Sequence, residues 1–329
     1  MSQPALRVVG GGPAGSAAAL AALGEGRAVE LFEKSVLPRH KVCGEFISPE
    51  AGAVLAKLGV FPAFLAAGPA RIGRIALNFG RKVKRARLAE PAFGLSRYAL
   101  DAMLMEQAAR RGARVHREAG APAAGCVLAT GRSAAGARGN RLFGFKAHFT
   151  GPVDDAVEMF FFNGCYAGVS AVENGATNVC ALASESVLRA CGFDFDAVLR
   201  RYEPLAERMA PLTPAMKWIA TGPVTLGGRF DQAEDTLYRA GDALGFIDPF
   251  TGSGILSALM TGRLAGLAAA RGTPPAEHLR ECRRRLVRQY EVAGLFRAAL
   301  RAGWADYLAW LIPGRLLFQL TRPRQPSAT

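Results

Sequence analysis

The stretch Val8-Val9-Gly10-Gly11-Gly12-Pro13-Ala14-Gly15 decides the reading of this 329-residue chain. An apolar strand, Leu6 to Val9, runs into G-x-G-x-x-G, and the Ala-rich segment from Ser16 to Leu23 continues as a helix. Gly10 allows the tight turn, Gly12 lets a pyrophosphate approach the backbone, and Gly15 lets helix and strand pack closely. Pro13 and Ala14 complete the turn, and unpaired N–H groups at the helix start face the phosphates. A second strand, Ala28 to Phe32, delivers Glu33 about 20 residues further on, where its carboxylate can accept hydrogen bonds from an adenosine ribose. Lys34 adjoins it and is counted with the site. Strand, glycines, helix, strand and acid in this order predict a dinucleotide site.

The kind of dinucleotide is read from a second stretch, Thr236 to Ile255, laid out as strand, acid, tight loop and helix start. Asp242, at the end of the strand, is placed to hold a sugar-alcohol hydroxyl rather than a nicotinamide. Pro249, Gly252, Ser253 and Gly254 mark a constrained loop before a helix from Ile255 to Ala270. N–H groups at that helix start suit a ring system that becomes anionic on reduction. The plainer alternative, a Gly-rich turn with Asp242 as a solvated cap, is weakened by the fingerprint upstream. These features favour flavin.

Four segments carry a family resemblance: Gly10 to Gly15 with Glu33, Arg39-His-Lys-Val-Cys-Gly-Glu45, Leu95-Ser-Arg-Tyr-Ala-Leu-Asp101, and Gly241 to Ile255. In them the chain resembles the FAD-dependent oxidoreductases that group para-hydroxybenzoate hydroxylase-type monooxygenases with geranylgeranyl reductases. The resemblance implies an α/β fold, with a Rossmann-like FAD-binding domain interleaved with a mainly antiparallel β-sheet substrate domain and C-terminal helices. It implies FAD held by the first and last segments, Gly241 and Asp242 on the ribityl chain, and Arg97 along the cofactor. The loop with Arg39, His40, Lys41, Val42 and Cys43 is expected to lie over the cofactor. No second G-x-G-x-x-G is present, and relatives manage without one, so transiently docked NAD(P)H is the expected reductant, with a protein donor as the alternative. The wording GDALGFIDPFTGSGI is nearer the reductase branch and its polyketide-cluster relatives.

Composition bounds these readings. The chain is 50% hydrophobic and 21% charged, which is globular, and long enough for two joined domains. Net charge is +14 and the pI near 10.1, which suits anionic cofactors or acidic partners. The basic residues are scattered arginines without a nucleic-acid module, so no nucleic-acid partner is expected. Six cysteines without C-x-x-C spacing indicate no zinc or other metal site. With no run that reads as a signal peptide or membrane span, a reduced cytoplasmic setting is expected.

The organisation reads as interleaved. Residues 1–68, 95–140 and 229–270 are assigned to the FAD-binding domain, 69–94 and 141–228 to the substrate domain, and 271–329 to a C-terminal helical region. Within these, Ile72 to Phe79 reads as a strand followed by a basic patch, Arg81 to Arg87. An amphipathic helix is predicted over Tyr98 to Arg111, and one helix over Phe195 to Met209. Cys126 to Gly131 reads as a short buried strand ending at the cofactor. Only about a dozen residues separate it from the strand Arg114 to His116, too few for the small three-stranded sheet that relatives carry there. A more exposed adenine side or weaker cofactor binding is expected. Between Leu295 and Leu320, an aromatic and basic helix pair allows peripheral membrane contact, although packing on the FAD domain is the commoner use.

Chemistry is less legible than binding. Arg39 and Lys41 can neutralise phosphate or reduced-flavin charge, His40 can handle a proton, and Cys43 can approach the flavin. As single residues on one loop they are weak catalytic candidates. Phe143, Phe145, Phe149, Phe160, Phe161 and Phe162, with Met216 and Trp218, suggest an apolar wall for a small hydrophobic, aromatic, polyketide or prenyl substrate. Three function classes follow. The favoured one is a monooxygenase that hydroxylates or epoxidises such a substrate with O2 and NAD(P)H. The second is a prenyl-type reductase, although the aromatic-x-Trp-x-Phe-Pro string of that type is missing. A flavin halogenase is weaker, because Lys217-Trp218-Ile219-Ala220 stands where Trp-x-Trp-x-Ile-Pro is expected. The third is a non-catalytic FAD-binding protein.

Overall fold

The computed structural model describes residues 4–80, 82–132, 141–162, 165–228, 230 and 236–301. The chain opens with β1 (Leu6–Val9), α1 (Pro13–Gly24) and β2 (Val29–Phe32), then β3 (Phe46–Ile47), α2 (Pro49–Lys57) and α3 (Phe61–Ala66). A long hairpin of β4 (Ala70–Phe79) and β5 (Lys82–Gly94) follows, and then α4 (Arg97–Arg110), β6 (Arg114–His116) and β7 (Val127–Leu128). The basic patch expected at Arg81 to Arg87 is, over its described residues, part of β5. Between β6 and β7 there is no strand.

A second series then builds β8 (Leu142–Thr150), β9 (Ala156–Phe162), β10 (Cys165–Ala171), β11 (Thr177–Ser184), α5 (Glu185–Ala190), α6 (Phe195–Arg200), α7 (Glu203–Met209), β12 (Thr213–Pro214) and β13 (Ile219–Val224). The single helix predicted over Phe195 to Met209 is therefore two. Pro204 sits in the first turn of α7, where its missing N–H costs nothing; inside one continuous helix it could not donate to the Arg200 carbonyl four residues back, and its ring would clash there. The chain closes with β14 (Gly227–Gly228), β15 (Tyr238–Arg239), β16 (Gly245–Phe246), α8 (Gly254–Arg271) and α9 (Pro275–Arg301).

Among the described residues these strands form two main sheets. One is wholly parallel, in the order β15-β7-β1-β2-β6. Its inner strands β7, β1 and β2 are short and mainly apolar, as expected where helices cover the faces. Helix α1 is buried from Pro13 to Ala22, which explains why it is built of alanine with no polar stripe. It packs against α8 so closely that a Cβ on Gly262 or Gly266 would overlap the Ala14 or Ala18 carbonyl.

The other sheet has the order β12-β8-β11-β10-β9-β4-β5-β3, with β13 also on β8, and is antiparallel apart from the β4–β9 pairing. Its two faces differ. On the outer face Phe145, Ala147, Phe149, Phe160, Val169 and Val179 pack into a core with Leu188, Val198, Leu199 and Leu205 of α5, α6 and α7. The inner face turns toward the parallel sheet.

Candidate cofactor and substrate cavity

A cavity of about 760 Å³ lies between the C-terminal ends of the parallel strands and the inner face of the large sheet. This is where open α/β sheets bind ligands. Most residues singled out in the sequence converge on it: Gly10, Gly12, Pro13, Ala14, Glu33, Lys34, Arg39, His40, Lys41, Val42, Cys43, Arg97, Gly131, Asp242, Pro249, Gly252, Gly254 and Ile255 all line its wall. Two stand behind the wall. Gly15 lies under Gly10, whose carbonyl a Cβ would overlap, and Ser253 is buried against Thr251 (2.7 Å) and Gln289 (2.8 Å).

The polar end is made mainly by backbone. Gly10 has φ 107°, a conformation open to glycine, and α1 begins at Pro13 with Gly12 as its cap. Helix α8 starts at Gly254 on the same cavity, after Gly252 at φ 61°. Two helix N-termini therefore direct free N–H groups into one space. Glu33 accepts from the Gly11 amide (2.8 Å) and the Ser35 amide (2.8 Å). Burial alone would raise its pKa, but these N–H donors override it and hold the carboxyl below its ordinary value.

Charge beside the glycine turn is organised by one buried acid, Asp101. It accepts from Arg97 Nε (2.6 Å) and Nη2 (2.8 Å) and from Lys41 Nζ (2.8 Å). A side chain on Gly12 would point at these two cations. Burial works against the charge on Arg97, and Asp101 more than offsets it, so the guanidinium pKa is raised. Asp242 behaves in the opposite way. Burial pushes its pKa up, and Arg97, Arg132 and Lys41 only partly pull it back. Asp242 is half-buried and lines the polar end of the cavity.

The other end is apolar and built by alternate residues. Ile75 and Leu77 of β4, Val157, Met159 and Phe161 of β9, Tyr166, Gly168 and Ser170 of β10, and Cys180 and Leu182 of β11 face it. Of the six phenylalanines expected to form the wall, Phe161 alone does so. Phe145, Phe149 and Phe160 are in the outer core, with Phe143, Phe162, Met216 and Trp218 packed against it. Side chains alternate along a strand, so neighbours Phe160 and Phe161 serve different cores. Phe296 of α9 and Phe250 close the apolar end around Phe161. Tyr166 donates to Asp248 (2.8 Å), which Arg297 also contacts (3.3 Å), tying the sheet to the loop before α8 and to α9.

No protein-family model matches the chain. Conditioned medium factor receptor 1 of Dictyostelium discoideum is 26% identical over 317 aligned positions, covering 79% of this chain and 62% of that protein. Menaquinone reductase of Mycolicibacterium smegmatis is 49% identical over 53 residues, which are 16% of this chain and 13% of that one. The chain thus spans less than two thirds of the length of either relative. Among solved structures, flavin-dependent brominase Bmp2 superposes with a TM-score of 0.77 at 15% identity, covering 96% of this chain and 92% of Bmp2. A flavoprotein/dehydrogenase from Cytophaga hutchinsonii gives 0.74 at 18%, covering 93% and 87%. PqsL of P. aeruginosa in complex with 2-aminobenzoylacetate gives 0.76 at 15%, covering 93% and 99%. The chain shares the fold of these proteins. That is the fold the four motifs implied.

Sequence reasoning missed one group of residues. Glu45 lines the cavity, fully buried at φ 54°, and its Oε1 accepts from the Arg97 amide (2.7 Å) and from the Lys146 ammonium. Its Oε2 lies 2.6 Å from Nε2 of His148. Burial would raise the Glu45 pKa, but His148 and Lys146 reverse this and hold it low. The Lys146 ammonium supplies the cation here, so the group is an ion cluster. Lys146 and His148 are two apart on β8 and share its inner face, a spacing that marks a strand face but not a partner. The membrane contact expected from Leu295 to Leu320 falls largely outside the described residues. Among those described, no helix is long and apolar enough to cross a membrane.

Proposed function

We propose that this chain is an FAD-dependent oxidoreductase, a monooxygenase acting with O2 and NAD(P)H on a small apolar or aromatic metabolite. One observation carries the reading: a single cavity has a dinucleotide-type polar end and an apolar end built on a separate sheet. The donors and acceptors fit FAD. Glu33 has lone pairs left for ribose hydroxyls, the α1 start with Arg97 and Lys41 suits a pyrophosphate, and Asp242 on the cavity wall suits a ribityl hydroxyl. FAD, when bound, supplies electron transfer and oxygen activation. The protein positions the substrate and excludes water, through Phe161, Phe250 and Phe296 at the closed apolar end.

Purified protein should be yellow, and Asp242→Ala and Glu33→Gln should each lower FAD retention. The strandless connection between β6 and β7 leads us to expect FAD to leave wild-type protein on extensive dialysis; full retention would count against that expectation. Oxygen uptake coupled to NAD(P)H oxidation, with a product heavier by one oxygen atom, is the expected activity. Colourless protein that takes up no FAD on reconstitution overturns the reading. A second reading, reduction of C=C bonds in a prenyl or polyene substrate, is favoured by the short match to menaquinone reductase. A product gaining two hydrogens without oxygen would select it. Product formation that requires halide would instead select a halogenase, the activity in the name of Bmp2.

A further inference from the structure

The Glu45 cluster contains one hydrogen bond too many for a single arrangement of protons. Nε2 of His148 lies 2.6 Å from Oε2 of Glu45 and 3.1 Å from Nζ of Lys146. One imidazole nitrogen cannot donate to a carboxylate and accept from an ammonium at once. Two arrangements resolve this. In the first, Nε2 carries hydrogen and donates to ionised Glu45. In the second, that proton sits on Oε2 of Glu45, and Nε2 accepts. They differ by moving one proton across a 2.6 Å contact.

The pair also has a direction. Glu45 and Lys146 are fully buried, and Glu45 is on the cavity wall. His148 is not on that wall, yet 10% of its side chain stays accessible. It meets His40 edge-on at 5.1 Å, and His40 stacks on the exposed ring of Tyr98 at 4.9 Å. His40 also lines the cavity, so the pair runs from Glu45 on the wall to the accessible edge of His148 behind it.

We propose that Glu45 and His148 are the proton entry of the cavity, Glu45 exchanging a proton with the reacting groups and His148 resupplying it from the solvent side. Lys146 is a positioning residue. This rests on the oxidoreductase reading. Monooxygenation converts R–H, O2, NAD(P)H and one H+ into R–OH, water and NAD(P)+. One oxygen atom enters the product, the other is reduced to water, and the hydride carries both electrons. Saturation of C=C takes the same hydride and one H+. Either way one proton must reach the reacting groups in the cavity, so the need does not depend on which substrate is turned over.

Other charged groups facing the pair come from several elements. They are Arg97 on α4, with Lys41 and Asp101 beyond it, Cys43 on the preceding loop, Cys180 on β11, and Glu173 facing His40. Asp101 answers both Arg97 and Lys41, which leaves Lys146 and His148 as the partners that set the state of Glu45.

The test uses FAD-loaded protein and needs no substrate. Bound FAD is photoreduced, and a pH-indicator dye reads proton uptake in weakly buffered solution. Glu45→Gln should keep its FAD yet take up protons on the order of 10²-fold more slowly, the scale of a lost acid–base group. His148→Gln should also be slow and be rescued by added imidazole. Independently, the Nε2 resonance of His148 in 15N NMR should move in Glu45→Gln. Should that variant misfold, the charge-balanced Glu45→Gln/Lys146→Met replaces it. FAD-loaded variants with wild-type uptake, or an unmoved resonance, overturn the proton entry and leave the flavin reading standing. Wild-type protein that binds no FAD overturns both.

Discussion

The parallel sheet and the large antiparallel sheet each supply half of one cavity, but with different materials. The parallel sheet offers backbone: Gly10 and Gly12 in the turn, Gly252 and Gly254 in the second loop, and the N-termini of α1 and α8. The antiparallel sheet offers side chains, chosen by alternation along β4, β9, β10 and β11. An atom added at Gly10 meets the Ala129 main chain, whereas one added at Gly12 meets only the Arg97 and Lys41 side chains. Side-chain walls can be remodelled one residue at a time.

Substitution should expose that contrast directly. Gly15→Val would drive a side chain into the Gly10 carbonyl and should cost about 4–5 kcal/mol or more in urea unfolding. Met159→Leu, on the opposite wall, should cost less than about 1.5 kcal/mol. Similar losses for both would mean that the two walls do not differ in tolerance. Next in size is Lys146→Met, which strands a buried carboxylate and should cost about 3–5 kcal/mol, most of it recovered in Glu45→Gln/Lys146→Met. A double variant as unstable as the single one would mean that Lys146 acts through packing alone.

Two neighbouring phenylalanines of β9 face opposite ways and separate stability from substrate contact. Phe160→Leu should lower stability by about 1–2 kcal/mol and leave substrate KM unchanged. Phe161→Leu should alter KM with FAD content unchanged, since its ring is on the cavity. The smallest effect is on acid stability. Glu33, Glu45 and Asp101 have folded pKa values below their ordinary values of 4.5, 4.5 and 3.8. Their contribution is therefore complete above about pH 4.5 and lost as pH falls through the lower folded values. Asp242, with its pKa raised, works in the opposite sense. The decline in Tm below pH 4.5 should be shallower in Glu45→Gln/Lys146→Met than in wild type.

The polar end was readable because its requirements are local. A turn at φ 107°, a close helix crossing and an acid after the second strand each demand particular residues at particular spacings, and Gly10, Gly15 and Glu33 answer them. The second loop was readable for the same reason. The apolar end was not, because six phenylalanines look alike until the strands are paired. Glu45 lay inside a segment that carried the resemblance, but nothing near it in the chain revealed Lys146, 101 residues away, or His148, 103 away.

Local steric and hydrogen-bonding needs thus wrote the nucleotide half, its helix starts and its acid into the order of residues. Register decided the other half. Lys146 faces Cys180 and His148 faces Asn178 across the β8–β11 pairing, and Phe161 faces Tyr166 across β9–β10. A slip of one residue in either pairing would turn the cavity face outward and bury the wrong phenylalanine. The β8–β11 pairing joins strands about thirty residues apart, so no short stretch of amino acids contains it.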